Sequence, residues 1–206
     1  MPSDPPLILG FDTSGAHCAA ALLSGAEIVA VAAEDMARGQ AERVMVLLEE
    51  TLGKGGAAWA DLTAIGVGTG PGNFTGIRIS ISAARGLALG LGIPAVGVSG
   101  FEARAFGMSL PASALISAPR DQVYRQDFSK HGASPPLVQS EETALSEVFD
   151  HGYALAPQIP PAKLAENIAF IACESWQTTT LAPAPQYVRA ADAAPPRDAP
   201  PVLLDE

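Results

Sequence analysis

The chain has few of the residues that bind metals or form disulfides. Its 206 residues include only two cysteines, Cys18 and Cys173, far apart and without a Cys-x-x-Cys pair. This excludes a disulfide framework and a cysteine zinc site, and two buried thiols are the simpler interpretation. The three histidines, His17, His131 and His151, are scattered and form no His-x-x-x-His pair, so we expect no metal site. No Gly-x-Ser-x-Gly sequence is present either, and we expect no catalytic nucleophile.

Long hydrophobic runs are also missing, although 48% of the residues are hydrophobic. No apolar run approaches the roughly 18 residues that span a bilayer. Residues 1–4 lack the basic segment that leads into a hydrophobic signal sequence. We therefore expect a folded cytoplasmic protein that makes no contact with a membrane.

Basic residues are scarce. The chain has 12 Lys and Arg against 22 Asp and Glu, a formal net charge of −10, and acids outnumber bases in both halves. Nucleic-acid binders usually need a basic surface, because they gain affinity by releasing counterions. We expect that this chain does not itself hold a nucleic acid.

Glycine is concentrated in one stretch, from Gly66 to Arg78, which lies between a strand pattern and a long helix pattern. Its five glycines and Pro71 predict a loop held in one shape at the start of the helix. Such a loop suits either a bound phosphate or a packed junction with another helix, and the residues alone leave both open. A P-loop is excluded because Ile77 and Arg78 follow Gly76, and the spacing does not fit a dinucleotide-binding fingerprint.

Hydrophobic periodicity predicts a three-stranded meander followed by alternating helices and strands, an α/β pattern. In the first half we predict strands at 7–11, 17–23, 27–33, 64–68 and 93–98, and helices at 40–52, ended by Gly53, and 75–91. In the second half we predict strands at 115–117, 122–128 and 137–139, and helices at 141–149 and 162–173.

One segment resembles the hallmark of a known family. The sequence Gly70-Pro71-Gly72-Asn73-Phe74-Thr75-Gly76-Ile77-Arg78 is similar to Gly-Pro-Gly-Ser-Phe-Thr-Gly-Ile/Leu-Arg of the bacterial TsaB (YeaZ) proteins, with Asn73 in place of serine. Residues 7–14, 93–99, 122–124 and 187–189 are similar to further family landmarks. The resemblance implies the two-lobed fold of actin, sugar kinases and Hsp70, with an N-terminal lobe at 1–100, a smaller lobe at 101–189 and a Pro/Ala-rich tail at 190–206.

The resemblance leaves two interpretations of Asp12, Thr13 and Ser14. In the superfold this turn holds the phosphates of a metal-bound nucleotide, but such a turn is also ordinary hairpin chemistry, which we favour. A kinase-like site needs a second acid from the other lobe. Ala118 stands where the family has aspartate, with Asp121 as a nearby substitute. We expect no catalytic residue and no cofactor of the chain's own, and leave ATP or ADP at a complex interface open.

The helix at 75–91 is apolar over more of its circumference than one sheet face requires, and the helix at 40–52 carries a further apolar stripe. A partner surface and a covering lobe explain this equally well from the residues alone. Members of the resembled family use these two helices to pair with the homologous catalytic subunit or with themselves, which implies an interface. The predicted interface residues are Val44, Leu47, Leu48, Thr75, Ile77, Arg78, Ile81 and Arg85.

The resemblance implies a non-catalytic scaffold in the formation of threonylcarbamoyladenosine, on the adenosine beside the anticodon of tRNA. The implied partners are a TsaD-type transferase and a TsaE-type ATPase, with tRNA contacted only indirectly and a homodimer when the chain is alone. Two alternatives stay open. One is a stand-alone kinase or ATPase of the same fold, and the other is a structural homodimer with a separate role.

Overall fold

The computed structural model describes residues 5–188, which form two β-sheets covered by helices. Residues 1–4, Arg189 and the predicted tail at 190–206 lie outside the described residues. The strands are β1 (Leu7–Asp12), β2 (His17–Ser24), β3 (Glu27–Asp35), β4 (Ala64–Gly68), β5 (Ala95–Val98), β6 (Ala112–Ala118), β7 (Gln122–Ser129), β8 (Gly132–Ala133), β9 (Leu137–Ser140) and β10 (Ala154–Leu155). The helices are α1 (Gln40–Lys54), α2 (Phe74–Leu91), α3 (Gly100–Ala105), α4 (Glu141–Asp150) and α5 (Pro161–Ser175).

The first sheet has the strand order β3-β2-β1-β4-β5. The first three strands pair antiparallel as a meander, whereas β1, β4 and β5 run parallel and are joined through helices. Helices α1 and α2 cover one face of this sheet, and α5 covers the other. The predicted strands and helices of the first half are all confirmed, and their ends move by at most a few residues.

Two glycines allow α5 to lie unusually close to the sheet. Gly10 of β1 and Gly66 of β4 are paired in the parallel register. A Cβ on Gly10 would lie 2.6 Å from the backbone N of Ala169, and one on Gly66 would lie 2.8 Å from Cβ of Ala172. Helix α5 therefore packs on the first sheet, although it lies within the range 101–189 predicted for the second lobe.

The second sheet has the order β10-β6-β7-β8, and β9 pairs with β7 on the same side as β8. Helix α3 packs on β6, and α4 packs on β7 and β9. The predicted strands and helices of the second half are confirmed, with β6 starting three residues earlier than expected at Ala112. The short strands β8 and β10 were not predicted.

One predicted helix end needs correction, and one helix was missed. Helix α1 passes through Gly53 and ends at Lys54, because the left-handed backbone that stops it, with φ of 69°, falls at Gly56. Helix α3 was not predicted, although it begins with a capping box. The Ser99 Oγ accepts from the Glu102 backbone N at 3.1 Å, and the Ser99 backbone N donates to the Glu102 carboxylate at 2.8 Å.

Candidate functional site

The turn that follows β1 is buried. Asp12 is 1% exposed, and its Oδ1 accepts hydrogen bonds from the backbone N and the Oγ of Ser14, both at 2.9 Å. The same oxygen lies 2.7 Å from Nε2 of His17. One carboxylate oxygen thus serves three groups of its own chain, which is the arrangement of a structural turn.

The glycine loop packs directly against this turn. A Cβ on Gly76 would collide with the backbone O of Thr13, and one on Gly72 would collide with the backbone O of Ser14. The Thr13 Oγ1 donates to the Gly76 O at 2.7 Å, and the Asn73 N donates to the Ser14 O at 2.6 Å. The loop therefore forms a packed junction, as one of the two interpretations had it, but its neighbour is the turn after β1 and not another helix.

Asn73, which stands in place of the family's serine, is the N-cap of α2. Its Oδ1 accepts a hydrogen bond from the backbone N of Gly76 at 2.9 Å. Asparagine and serine are about equally good N-caps, because each places an oxygen where it satisfies a free N–H of the first turn. The substitution therefore preserves the local structure.

A cleft of about 460 Å³ opens between the turn and the second sheet. Ser14 and Asn73 line one side and Ala118 lines the other, so the second lobe presents a methyl group where a kinase-like site needs an acid. Asp121 is exposed in the β6–β7 turn and is not one of the described residues lining the cleft. The predicted substitution of Asp121 for the missing acid is not supported.

Arg104 gives the cleft a cation that the sequence analysis did not identify. Its Nη1 donates to the Gly100 O at 2.8 Å, and its buried Nε has no hydrogen-bond partner among residues 5–188. Burial lowers the pKa of the guanidinium from its ordinary value, and the charge of Asp12 opposes this shift. Arginine nevertheless stays protonated, so a charged donor lines the cleft. The sequence does contain one hint of this position. Ser99 and Glu102 form a capping box, which predicts a helix that would include Arg104.

Five of the eight predicted interface residues lie in the protein's own core. The exposed fractions are 3% for Val44, 1% for Leu47, 0% for Leu48, 1% for Ile77 and 4% for Ile81. The first sheet covers this stripe, which is the ordinary arrangement of an amphipathic helix. These five side chains are therefore largely used inside the folded chain, and whether α1 and α2 contact a partner stays a prediction.

The other three predicted interface residues, Thr75, Arg78 and Arg85, are exposed on α2. Arg78 belongs to a cluster with two aromatic residues. Its guanidinium lies 3.8 Å from the ring centre of Phe74, and its Nε donates to the Tyr187 hydroxyl at 3.0 Å. The rings of Phe74 and Tyr187 stack with 5.1 Å between their centres. We call Phe74, Arg78 and Tyr187 the aromatic cluster.

An apolar groove runs between α1 and α2 beside the aromatic cluster. Its lining includes Met45 of α1 and Phe74, Ile79 and Ala83 of α2. Three of the eight predicted interface residues also line it: Val44, Thr75 and Arg78. Met45 and Phe74 are 40% and 42% exposed, and the neighbouring Val46 is 48% exposed. The two helices thus carry an apolar outer surface, made of residues adjacent in sequence to the buried stripe.

Two further features concern metals and membranes. Across residues 5–188, no three His, Cys, Asp or Glu side chains lie close enough together to hold a metal ion. In the same part of the chain, no helix has the length and apolar character needed to cross a bilayer.

Comparison with known proteins gives a consistent result. Residues 26–178 match the family model described as TsaD, tRNA N6-adenosine threonylcarbamoyltransferase. The tRNA threonylcarbamoyladenosine biosynthesis protein TsaB of Escherichia coli is 33% identical over 146 residues, which cover 66% of this chain and 63% of that protein. A tRNA N6-adenosine threonylcarbamoyltransferase of Jannaschia is 36% identical over 111 residues, 45% of this chain and 31% of that protein. The chain therefore matches less than two thirds of the length of either relative.

A solved structure from Pseudomonas aeruginosa extends the likeness over most of the chain. It is described as an uncharacterized protein with similarity to peptidase YEAZ, and it superposes with a TM-score of 0.69 at 26% identity. The alignment covers 89% of this chain and 100% of that chain. The predicted actin-like α/β fold class is confirmed. The chain belongs to the family that the TsaD model describes and, within it, to the TsaB (YeaZ) proteins.

Proposed function

We propose that this chain is a non-catalytic scaffold subunit in the formation of threonylcarbamoyladenosine, on the adenosine beside the anticodon of tRNA. In this proposal it binds a TsaD-type transferase through the outer surface of α1 and α2 and supports a TsaE-type ATPase. The chain pairs with itself through the same surface when it is alone. It contacts tRNA only indirectly, in keeping with its formal charge of −10.

The observation that carries the proposal is the groove between α1 and α2 together with the aromatic cluster. Aromatic residues, methionine and arginine are enriched at the centres of protein interfaces. Phe74 and Arg78 are already held in place by Tyr187, so ordering them on binding costs little entropy. Met45 offers a flexible apolar contact on the opposite wall.

The geometry of the turn supports a scaffold more than an enzyme. Oδ1 of Asp12 is engaged by the Ser14 N and Oγ and by His17, so a metal-bound nucleotide would have to compete with these contacts. Ala118 cannot supply the second carboxylate. The reaction is therefore assigned to the transferase partner, and the chain holds no cofactor of its own.

A stand-alone ATPase or kinase is the second candidate, and Arg104 favours it. A partly buried guanidinium with an unpartnered Nε lines the cleft, where it could bind a phosphate. ATP or ADP bound where the chain meets the transferase is compatible with either candidate. Turnover of ATP by the purified chain, lost in Arg104→Met and Asp12→Asn, would favour the second candidate.

The proposal is tested by light scattering after size exclusion, on the chain alone and mixed with the TsaD-type subunit of the same organism. We expect a homodimer that is replaced by a one-to-one complex. The variant Met45→Glu places a charge in the groove and should weaken both assemblies. Leu137→Glu is the matched control, because Leu137 is also 40% exposed but lies in β9 of the second sheet.

Buried positions are unsuitable for this test. Ile81→Glu or Leu48→Glu would place a charge in the core and unfold the chain, so a lost complex would say nothing about the interface. If Met45→Glu binds the transferase as well as Leu137→Glu does, the groove is not the interface. If the unsubstituted chain forms no complex at all, the scaffold proposal itself is refuted.

A further inference from the structure

The outer surfaces of α1 and α2 carry charges of opposite sign. Helix α2 has no acidic residue, and its two charged residues, Arg78 and Arg85, are both exposed. Helix α1 exposes two glutamates, Glu42 and Glu49, on its own outer surface. The two helices pack on the same face of the first sheet. The chain therefore presents an acidic helix and a basic helix side by side.

The two sets of charges have the same spacing. Glu42 and Glu49 are seven residues apart in α1, and Arg78 and Arg85 are seven residues apart in α2. Seven residues complete almost two helical turns, so the members of each set lie on one side of their helix, about 10 Å apart along its axis. One helix placed alongside the other therefore brings both carboxylates to both guanidinium groups at once.

The chain does not use these charges to hold itself together. Among residues 5–188, no ion pair or side-chain hydrogen bond involves Glu42, Glu49 or Arg85. Arg78 uses its Nε and one face of its guanidinium in the aromatic cluster, which leaves both Nη groups available as donors. Glu50 differs, because Arg43 of the same chain pairs with it at 2.7 Å.

Exposed apolar side chains accompany the charges on both helices. Met45 and Val46 lie between the two glutamates of α1 and are 40% and 48% exposed. On α2, Phe74 lies one turn before the first arginine and Leu89 one turn after the second. Leu89 is 86% exposed, the highest value for a large hydrophobic side chain in the described part of the chain. Apolar residues of this kind, bordered by charges, are typical of an interface.

We propose that two copies of this chain associate by placing α1 of one protomer along α2 of the other, so that Arg78 and Arg85 bind the carboxylates of Glu42 and Glu49 across the interface. A two-fold symmetric dimer makes this contact twice, and four ion pairs then surround the apolar residues. The inference rests on the proposed self-association of the chain and adds which helices meet and in what register.

The charges favour this arrangement over the other two ways of pairing the helices. An α1–α1 contact would bring glutamates together, and an α2–α2 contact would bring arginines together. Like charges placed opposite each other at an interface cost several kcal/mol, whereas complementary charges select the correct partner and register. Affinity comes mainly from the apolar side chains, because exposed ion pairs contribute little individually.

The test reverses one charge on each helix and measures the dissociation constant of the dimer by sedimentation over a range of concentrations. Arg85→Glu and Glu49→Arg should each weaken the dimer at least about tenfold, because each change replaces attraction by repulsion and acts twice in a symmetric dimer. Arg85 is the better choice on α2, since Arg78 also holds the aromatic cluster in place. All these positions are exposed, so the melting temperatures should stay those of the parent chain.

Mixing two weakened variants gives the sharper result. If the helices run parallel, Arg85 meets Glu49, and an equimolar mixture of Arg85→Glu with Glu49→Arg joins opposite charges at every contact. If they run antiparallel, Arg85 meets Glu42, and the mixture with Glu42→Arg does so instead. We expect one of the two mixtures to form a heterodimer with nearly the affinity of the parent dimer, which also gives the direction of the helices.

Two matched controls reverse charges elsewhere. Lys130→Glu, in the turn between β7 and β8, makes the same charge change as Arg85→Glu. Glu174→Arg, in the last turn of α5, makes the same change as Glu49→Arg. Both residues are exposed and far from α1 and α2 in the sequence. Both variants should dimerise as the parent chain does.

Three results would overturn the inference: a parent chain that is monomeric at every concentration, reversals that dimerise as well as their controls, or weakened variants that neither mixture restores. The scaffold proposal fails separately. If the parent chain binds the TsaD-type subunit but the reversals leave the homodimer unchanged, only the inference is wrong. If the parent chain forms no complex with that subunit, the scaffold proposal is wrong, and the homodimer is still tested by the mixtures.

Discussion

The junction between the Asp12 turn and α2 predicts a large effect from a very small substitution, Gly76→Ala. Inside an ordinary helix this change stabilises by up to about 1 kcal/mol. Here the added methyl would overlap the backbone O of Thr13 and lie 3.1 Å from its carbonyl carbon. Forcing extra volume into a packed junction costs about 1–3 kcal/mol. Separating the Thr13 hydroxyl from the Gly76 carbonyl, now 2.7 Å apart, costs about 1 kcal/mol more.

The net expectation is a loss of about 2 kcal/mol in the free energy of unfolding, or a melting temperature lower by roughly 4–8 °C for a chain of this size. The same helix contains a matched control. A Cβ on Gly86 would meet nothing within 4 Å, so Gly86→Ala should raise the melting temperature by roughly 2–4 °C.

Thermal unfolding followed by circular dichroism, with urea titration as a check, measures both variants. The reasoning depends on the opposite signs at two glycines of one helix. It is refuted if Gly76→Ala is as stable as Gly86→Ala, because the loop would then not be packed against the turn as described.

Three further predictions concern the same region and the thiols. Asn73→Ser should change neither the melting temperature nor binding to the transferase, since both residues cap α2, and a large change in either would contradict this. Asp12→Ala should lower the free energy of unfolding by about 3 kcal/mol, because it leaves the Ser14 N without its acceptor, and a parent-like urea curve would count against the structural turn. Burial raises the pKa of Cys18 from 9.0 to about 11, so alkylation at pH 8 should be roughly 100-fold slower in the native chain than in urea. Equal rates in the two states would show that Cys18 is not buried.

The sequence was sufficient for the first half of the fold because its signals are local. Short apolar runs joined by turn residues predicted the meander, and helical periodicity predicted α1 and α2. What it could not reveal was the position of α5 on the first sheet. That contact depends on Gly10 and Gly66 being paired across β1 and β4, and register between distant strands is not visible in a local pattern.

The candidate sites were also predictable only where their residues are contiguous in the sequence. The glycine loop and the Asp12 turn were found because their residues are contiguous. Their contact with each other was not, since Thr13 and Gly76 are 63 residues apart. Arg104 carries no motif of its own, and only the folded chain brings it to the wall of the cleft.

The burial of five predicted interface residues has a physical reason that applies to any helix on a sheet. A regular apolar stripe such as Val44, Leu47 and Leu48 marks the face that the helix buries against its own sheet. The chain needs this burial in order to fold, whether or not a partner binds. A second interface must use positions that interrupt the amphipathic pattern. Met45, Val46 and Phe74 are such positions, apolar residues on the face where charge is expected, and they were passed over because they do not follow the helical period. Irregular apolar residues are therefore the better guide to the proposed interface.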